Sequence, residues 1–311
     1  MAKTSDHQAL APPSPGAPRL TRVLAQPRAL AILCVLVLAG LGWLYLGLML
    51  GSAVRVGGFG PGMGFFDAVS TGRLDETGRA LYQALCRPTF GSPHSGVPAA
   101  WGDFALVTLM WSAMTFAMML PTAGPMVLAY AEIAETAAGK HERVVSPLVL
   151  TAGYVAVWLG FAVVATGLQW GLTRLALIDP ALGSVSALFS GAIFVGAGAY
   201  QFSALKHACV TVCQRPFPFF FANWSSAPDA VFRLGLRQGL YCLGCCWAMM
   251  LVMFAVGVMN VVWMAGLGII MAVEKLASTT RFSRVIGVVF IVVGAVFVAS
   301  SVVAHWPARA G

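Results

Sequence analysis

Residues 240–273 read L-Y-C-L-G-C-C-W-A-M-M-L-V-M-F-A-V-G-V-M-N-V-V-W-M-A-G-L-G-I-I-M-A-V, thirty-four positions without one Asp, Glu, Lys or Arg. A single straight helix of that length would measure about 51 Å, far more than the ~30 Å hydrocarbon core of a bilayer. The stretch therefore divides, and Gly257 and Asn260 are the residues at which to divide it. Two short apolar helices result, and with them the expectation of an all-α, polytopic transmembrane bundle.

The rest of the chain agrees. Of its 311 residues, 59% are hydrophobic and 10% charged. A water-soluble domain is nearer a quarter charged, so this chain cannot cover a soluble surface. High apolar content also excludes a disordered chain, and seven Cys over this length do not make a disulfide scaffold. Further apolar runs predict spans at 29–50, 101–120, 147–172, 183–205 and 285–303. The second is expected to stop at Pro121. The run at 29–50 is too long for a secretory signal and reads as an uncleaved span. This makes about seven spans. With a cytoplasmic N-terminus, thirteen of the nineteen Lys and Arg lie on the inner side, as the positive-inside rule requires. The net charge of +8 then reports orientation in a membrane and not nucleic-acid binding. The organisation expected is a cytoplasmic Pro/Ala-rich tail (1–28), a first span (29–50), an extracytoplasmic loop (51–100), a membrane core (101–276), and a last span with a short tail (277–311).

Five of the seven Cys fall in two strings. Y-Q-F-S-A-L-K-H-A-C-V-T-V-C-Q-R-P carries His207, Cys209 and Cys213, and L-Y-C-L-G-C-C-W-A-M-M carries Cys242, Cys245 and Cys246. On helices, Cys209 and Cys213 share a face, and so do Cys242, Cys245 and Cys246. In the seven-span arrangement both strings lie near the inner surface. Sulfur-rich sites favour Cu(I) or Zn(II) over hard cations. Lys206, Arg215, Arg233 and Arg237 are expected to supply the positive potential that favours thiolate. The metal ligands predicted are His207, Cys209, Cys213, Cys242, Cys245 and Cys246. The competing reading is that free Cys packs as a small hydrophobe, which suits the isolated Cys34 and Cys86.

Methionines continue the pattern. Met110, Met114 and Met118 share one helical face, and Met249, Met250 and Met253 follow the second Cys string. Thioethers fill helix interfaces and also bind Cu(I). Met114, Met118, Met249 and Met253 are accordingly secondary candidates for a soft-ion path. Glu274 and Lys275 read as ordinary charged residues at a membrane boundary. No G-x-G-x-x-G, Walker loop or G-x-S-x-G occurs, which leaves ATPase and hydrolase readings without support.

The strings M-M-L-P-T-A-G-P-M, Y-Q-F-S-A-L-K-H-A-C and G-L-Y-C-L-G-C-C-W-A-M-M-L-V-M-F-A-V-G-V-M-N-V-V-W-M, together with E-K-L, resemble a bacterial family of unknown function described as predicted metal-binding integral membrane proteins. The resemblance covers about residues 100–276. It implies a multi-pass membrane protein with a metal site on the six Cys and His residues named above, and no established reaction. The function expected is soft-metal handling or transport, copper first and zinc second, in the lipid bilayer. A membrane complex or a metallochaperone would be the partner. A binding protein is expected in preference to an enzyme. The alternatives are a membrane thiol–disulfide oxidoreductase and a structural subunit or assembly factor of a membrane complex.

Overall fold

Helices begin in this chain where a short polar side chain or a proline permits. In the computed structural model, Ser146, Ser186, Ser203 and Asn260 each turn a side-chain oxygen onto a backbone N–H two or three residues ahead. That oxygen satisfies a donor the first turn would otherwise leave unpaired. Pro27, Pro147, Pro216 and Pro228 stand at first helical positions, where the missing N–H costs nothing. The structure describes residues 27–53, 99–140, 142–178, 186–258, 260–277 and 280–305. Most of the expected tail, most of the expected 51–100 loop, and Cys86 lie outside them.

The described residues form nine helices and no strand: α1 (Pro27–Ala53), α2 (Ala99–Gly139), α3 (Pro147–Arg174), α4 (Ala187–Tyr200), α5 (Ala204–Gln214), α6 (Pro216–Ala222), α7 (Pro228–Val256), α8 (Val261–Leu276) and α9 (Thr280–His305). Five of them, α1, α2, α3, α7 and α9, are long and apolar enough to cross a membrane, or six spans if α4 and α5 together count as one bent span. Helix α8 has 16 residues, about 24 Å, short of a full crossing.

Three sequence expectations meet the structure here. The break between α7 and α8 falls where it was placed: Gly257 adopts a φ of 102°, accessible to glycine, and Asn260 caps the next helix. The stop at Pro121 does not occur. Helix α2 runs through both Pro121 and Pro125 for 41 residues. A proline leaves the carbonyl four residues earlier without its helical donor. For Pro121 that carbonyl is Ala117, and Trp43 Nε1 of α1 donates to it at 2.9 Å. A neighbouring helix thus supplies the partner that lets the helix continue. The single span expected at 183–205 is also corrected. Helices α4 and α5 are separate and bent by 65° at 201–203, so the His207–Cys213 string lies on its own helix.

Helix α7 is the centre of the bundle, packed on α3, α4 and α5, while α2 packs on α1 and α3, and α9 on α4. Where α3 crosses α7, Gly153 and Gly235 face each other. A Cβ built on Gly235 would overlap the Leu150 carbonyl, and one on Gly153 the Phe232 carbonyl. The missing side chains let the two backbones touch, and Tyr154, next to Gly153, reaches Cys242 two turns along α7 from Gly235. Outward, α9 presents Val285, Val288, Val292 and Val296, an apolar face.

Candidate metal centre

Residues 242, 245 and 246 occupy one face of α7 because they are spaced i, i+3 and i+4. All three are buried, and their three Sγ atoms lie within 4.8 Å of one another. An ion held about 2.3 Å from each of two sulfurs separates them by at most about 4.6 Å, so the spacing suits a soft ion with little adjustment. Cys245 and Cys246 Sγ are 3.3 Å apart, and Cys245 Sγ donates to the Cys242 carbonyl at 3.1 Å. Along α7 the first of these thiols stands about 7 Å beyond Arg237, the last basic residue of the helix.

Helix α5 lies against this face. Cys213, half-buried on α5, lies close enough to Cys242 and Cys245 to interact electrostatically with both, which puts a fourth thiol beside the trio though outside it. Cys209 is buried against Gly244: a Cβ there would meet its Sγ at 2.6 Å. Its sulfur is outside the three-thiol group, as is His207, whose Nδ1 is buried without a hydrogen-bond partner. Of the six predicted ligands the fold gathers Cys242, Cys245 and Cys246, adds Cys213 beside them, and leaves Cys209 and His207 apart.

The secondary candidates Met114, Met118, Met249 and Met253 are all buried in the core. Met118 packs toward Gly268 of α8. The thioether the fold places by the cluster is its neighbour Met119, with Sδ 4.0 Å from Lys275 Nζ.

Sequence reasoning missed two groups that touch the cluster. Tyr154 of α3 has its hydroxyl 3.0 Å from Cys242 Sγ and 3.2 Å from the Met119 carbonyl. Lys275 of α8 donates to Cys242 Sγ at 3.0 Å and to Thr122 Oγ1 at 2.6 Å. Glu274 and Lys275, read from the sequence as ordinary charged residues, are both buried among the helices. Glu274 accepts from Lys206 Nζ at 2.6 Å and from the Ser283 hydroxyl. Lys206, itself fully buried, also donates to the Cys245 carbonyl at 2.6 Å. The other basic residues expected to serve the thiols do not. Arg233 pairs with Asp229 at the exposed start of α7, Arg237 turns to Asn223 and the Phe219 ring, and Arg215 is exposed. Their side chains reach water, where a cation is cheaper than in the core. A signal did exist: a Lys within an apolar string, as at Lys206 and Lys275, is a functional hypothesis by default in a membrane chain.

An all-helical, apolar chain with a buried three-thiol cluster defines a candidate soft-metal-binding protein. The family model described as "PpoB2: Copper chaperone" matches residues 108–297, more than half of the chain and every residue of the centre just described. The chain belongs to this family. No curated protein and no solved structure matches it.

Proposed function

We propose that this protein is a polytopic chaperone of the bacterial inner membrane that holds Cu(I) on Cys242, Cys245 and Cys246 and passes it to an acceptor. The observation that carries the proposal is the trio of buried sulfurs within 4.8 Å of one another, in a chain of the copper chaperone family. Cu(I) prefers sulfur, and buried thiols keep it from water and oxidants. Cys213 is the exchange ligand, one sulfur beyond the trio. Cys209 and His207, on the same helix, would meet the ion before or after it. Membrane insertion is supported by the five long apolar helices, or six spans with α4 and α5 as one, and a cytoplasmic N-terminus by the distribution of Lys and Arg; the seventh span of the sequence reading would need the 16-residue α8 to cross. The partners would be the lipid bilayer and a membrane complex or metallochaperone.

Metal analysis of the detergent-purified full chain, loaded anaerobically with Cu(I), tests this. Wild type should carry one copper per chain, and the triple variant Cys242→Ser, Cys245→Ser, Cys246→Ser none. Equal copper in both would overturn the reading. Metal-free wild type with a reducible disulfide would favour the thiol–disulfide oxidoreductase.

A transport form of the same reading runs the ion past Met114, Met118, Met249 and Met253. Exchanging Met114, Met118 and Met253 for Leu conserves volume, so each change should cost less than about 1.5 kcal/mol of stability. Copper uptake into vesicles reconstituted with this variant should then be lost. Undiminished uptake would remove the methionine path and leave the thiol site standing.

A further inference from the structure

We infer that Lys275 is a valence filter: a fixed positive charge on the sulfur cluster that admits a monovalent soft ion and disfavours a divalent one. The inference rests on the copper reading above and adds to it the reason for the ion's charge.

The Lys275 ammonium is 8% exposed, and among the described residues its hydrogen-bond partners are Cys242 Sγ, Thr122 Oγ1 and Met119 Sδ. The carboxylate next to it in sequence is already engaged, because Glu274 pairs with Lys206 and Ser283. Lys206 and Glu274 cancel each other's charge. The group that faces the Lys275 ammonium is sulfur: its Nζ donates to Cys242 Sγ at 3.0 Å, so its charge lies directly on the cluster.

An ion bound to Cys242 Sγ at about 2.3 Å would lie within about 5 Å of Lys275 Nζ. Repulsion from the ammonium scales with the ion's charge, so Zn(II) meets twice what Cu(I) meets on the same ligands. At an effective dielectric of about 20, one extra unit of charge at that distance corresponds to on the order of a hundredfold in binding. A neutral residue at position 275 would remove this discrimination, whereas the thiols themselves would bind either ion.

The test measures Cu(I) and Zn(II) affinities of the purified full chain by anaerobic chelator competition, for wild type, Lys275→Leu, Lys275→Gln and Lys275→Arg. Leucine and glutamine add no sulfur ligand, and glutamine keeps a donor for Thr122 if the leucine variant fails to fold. Both neutral variants should shift the Zn(II):Cu(I) affinity ratio toward zinc, on the order of a hundredfold. Arginine should keep the wild-type ratio, which a merely structural lysine would not require. A neutral variant that binds Cu(I) with an unchanged ratio overturns the filter and leaves the copper site intact. Wild type that binds neither ion removes both.

Discussion

Replacing Lys206 by Met is expected to destabilise the protein by about 3–5 kcal/mol. The lysine is fully buried, its Nζ is 2.6 Å from Glu274 Oε2, and both side chains are almost wholly removed from solvent. Deleting the cation takes from the buried carboxylate its charged partner and leaves it the Ser283 hydroxyl. It also strips a donor from the Cys245 carbonyl. Replacing both members of such a pair is another matter, because two apolar side chains carry no desolvation penalty. The double variant Lys206→Met, Glu274→Met should therefore recover most of the loss, to within about 2 kcal/mol of wild type, with the residue owed to the orphaned carbonyl and hydroxyl. Denaturant unfolding in detergent measures both. A single variant costing less than about 1 kcal/mol would show that water reaches the pair. Since the pair ties α5 to α8, and α5 carries Cys213, the single variant should also loosen the fourth thiol while the trio on α7 stays together.

The second large effect concerns the crossing of α3 and α7. Gly235→Leu should cost at least about 3 kcal/mol or abolish folding, and even Gly235→Ala should cost about 1–3 kcal/mol. The added Cβ would fall on the Leu150 carbonyl, a backbone atom that cannot rotate away as a side-chain tip can. The helices must then separate. Tyr154, one residue from Gly153 on α3, moves with them, and its 3.0 Å contact with Cys242 Sγ lengthens beyond hydrogen-bonding reach. Thermal unfolding reads the stability, and Cu(I) affinity of the alanine variant reads the second consequence. Gly160→Ala is the control: nothing lies within 4 Å of its Cβ position, and it should be neutral or gain up to about 1 kcal/mol from helix propensity. Equal behaviour at positions 160 and 235 would mean that the crossing does not hold the fold.

Several features were legible because their causes are local. Spacing at i, i+3 and i+4 places Cys242, Cys245 and Cys246 on one face of whatever helix contains them. Gly257 and Asn260 end one helix and start the next through their own backbone and side-chain chemistry. Pro121 misled for the converse reason: whether a proline ends a helix depends on a partner for the freed carbonyl, and Trp43 stands 74 residues away in the chain. The fourth span misled in the same way. Its apolar composition is continuous, yet the chain bends by 65° at 201–203, so His207, Cys209 and Cys213 stand on a separate helix and outside the trio of α7.

The sequence by itself determined that the chain is helical and apolar, where most of its helices begin, and that three thiols share a face. Only the tertiary structure decided what faces those thiols: Lys275, 33 residues away, Tyr154, 88 residues away, and Met119 on a third helix. The reason is physical. Periodicity reports which residues share a helix surface, while the meaning of a lysine depends on whether that surface meets water or another helix. Glu274 and Lys275, neighbours in sequence, show it most plainly: one closes an ion pair with Lys206, and the other places its charge on sulfur.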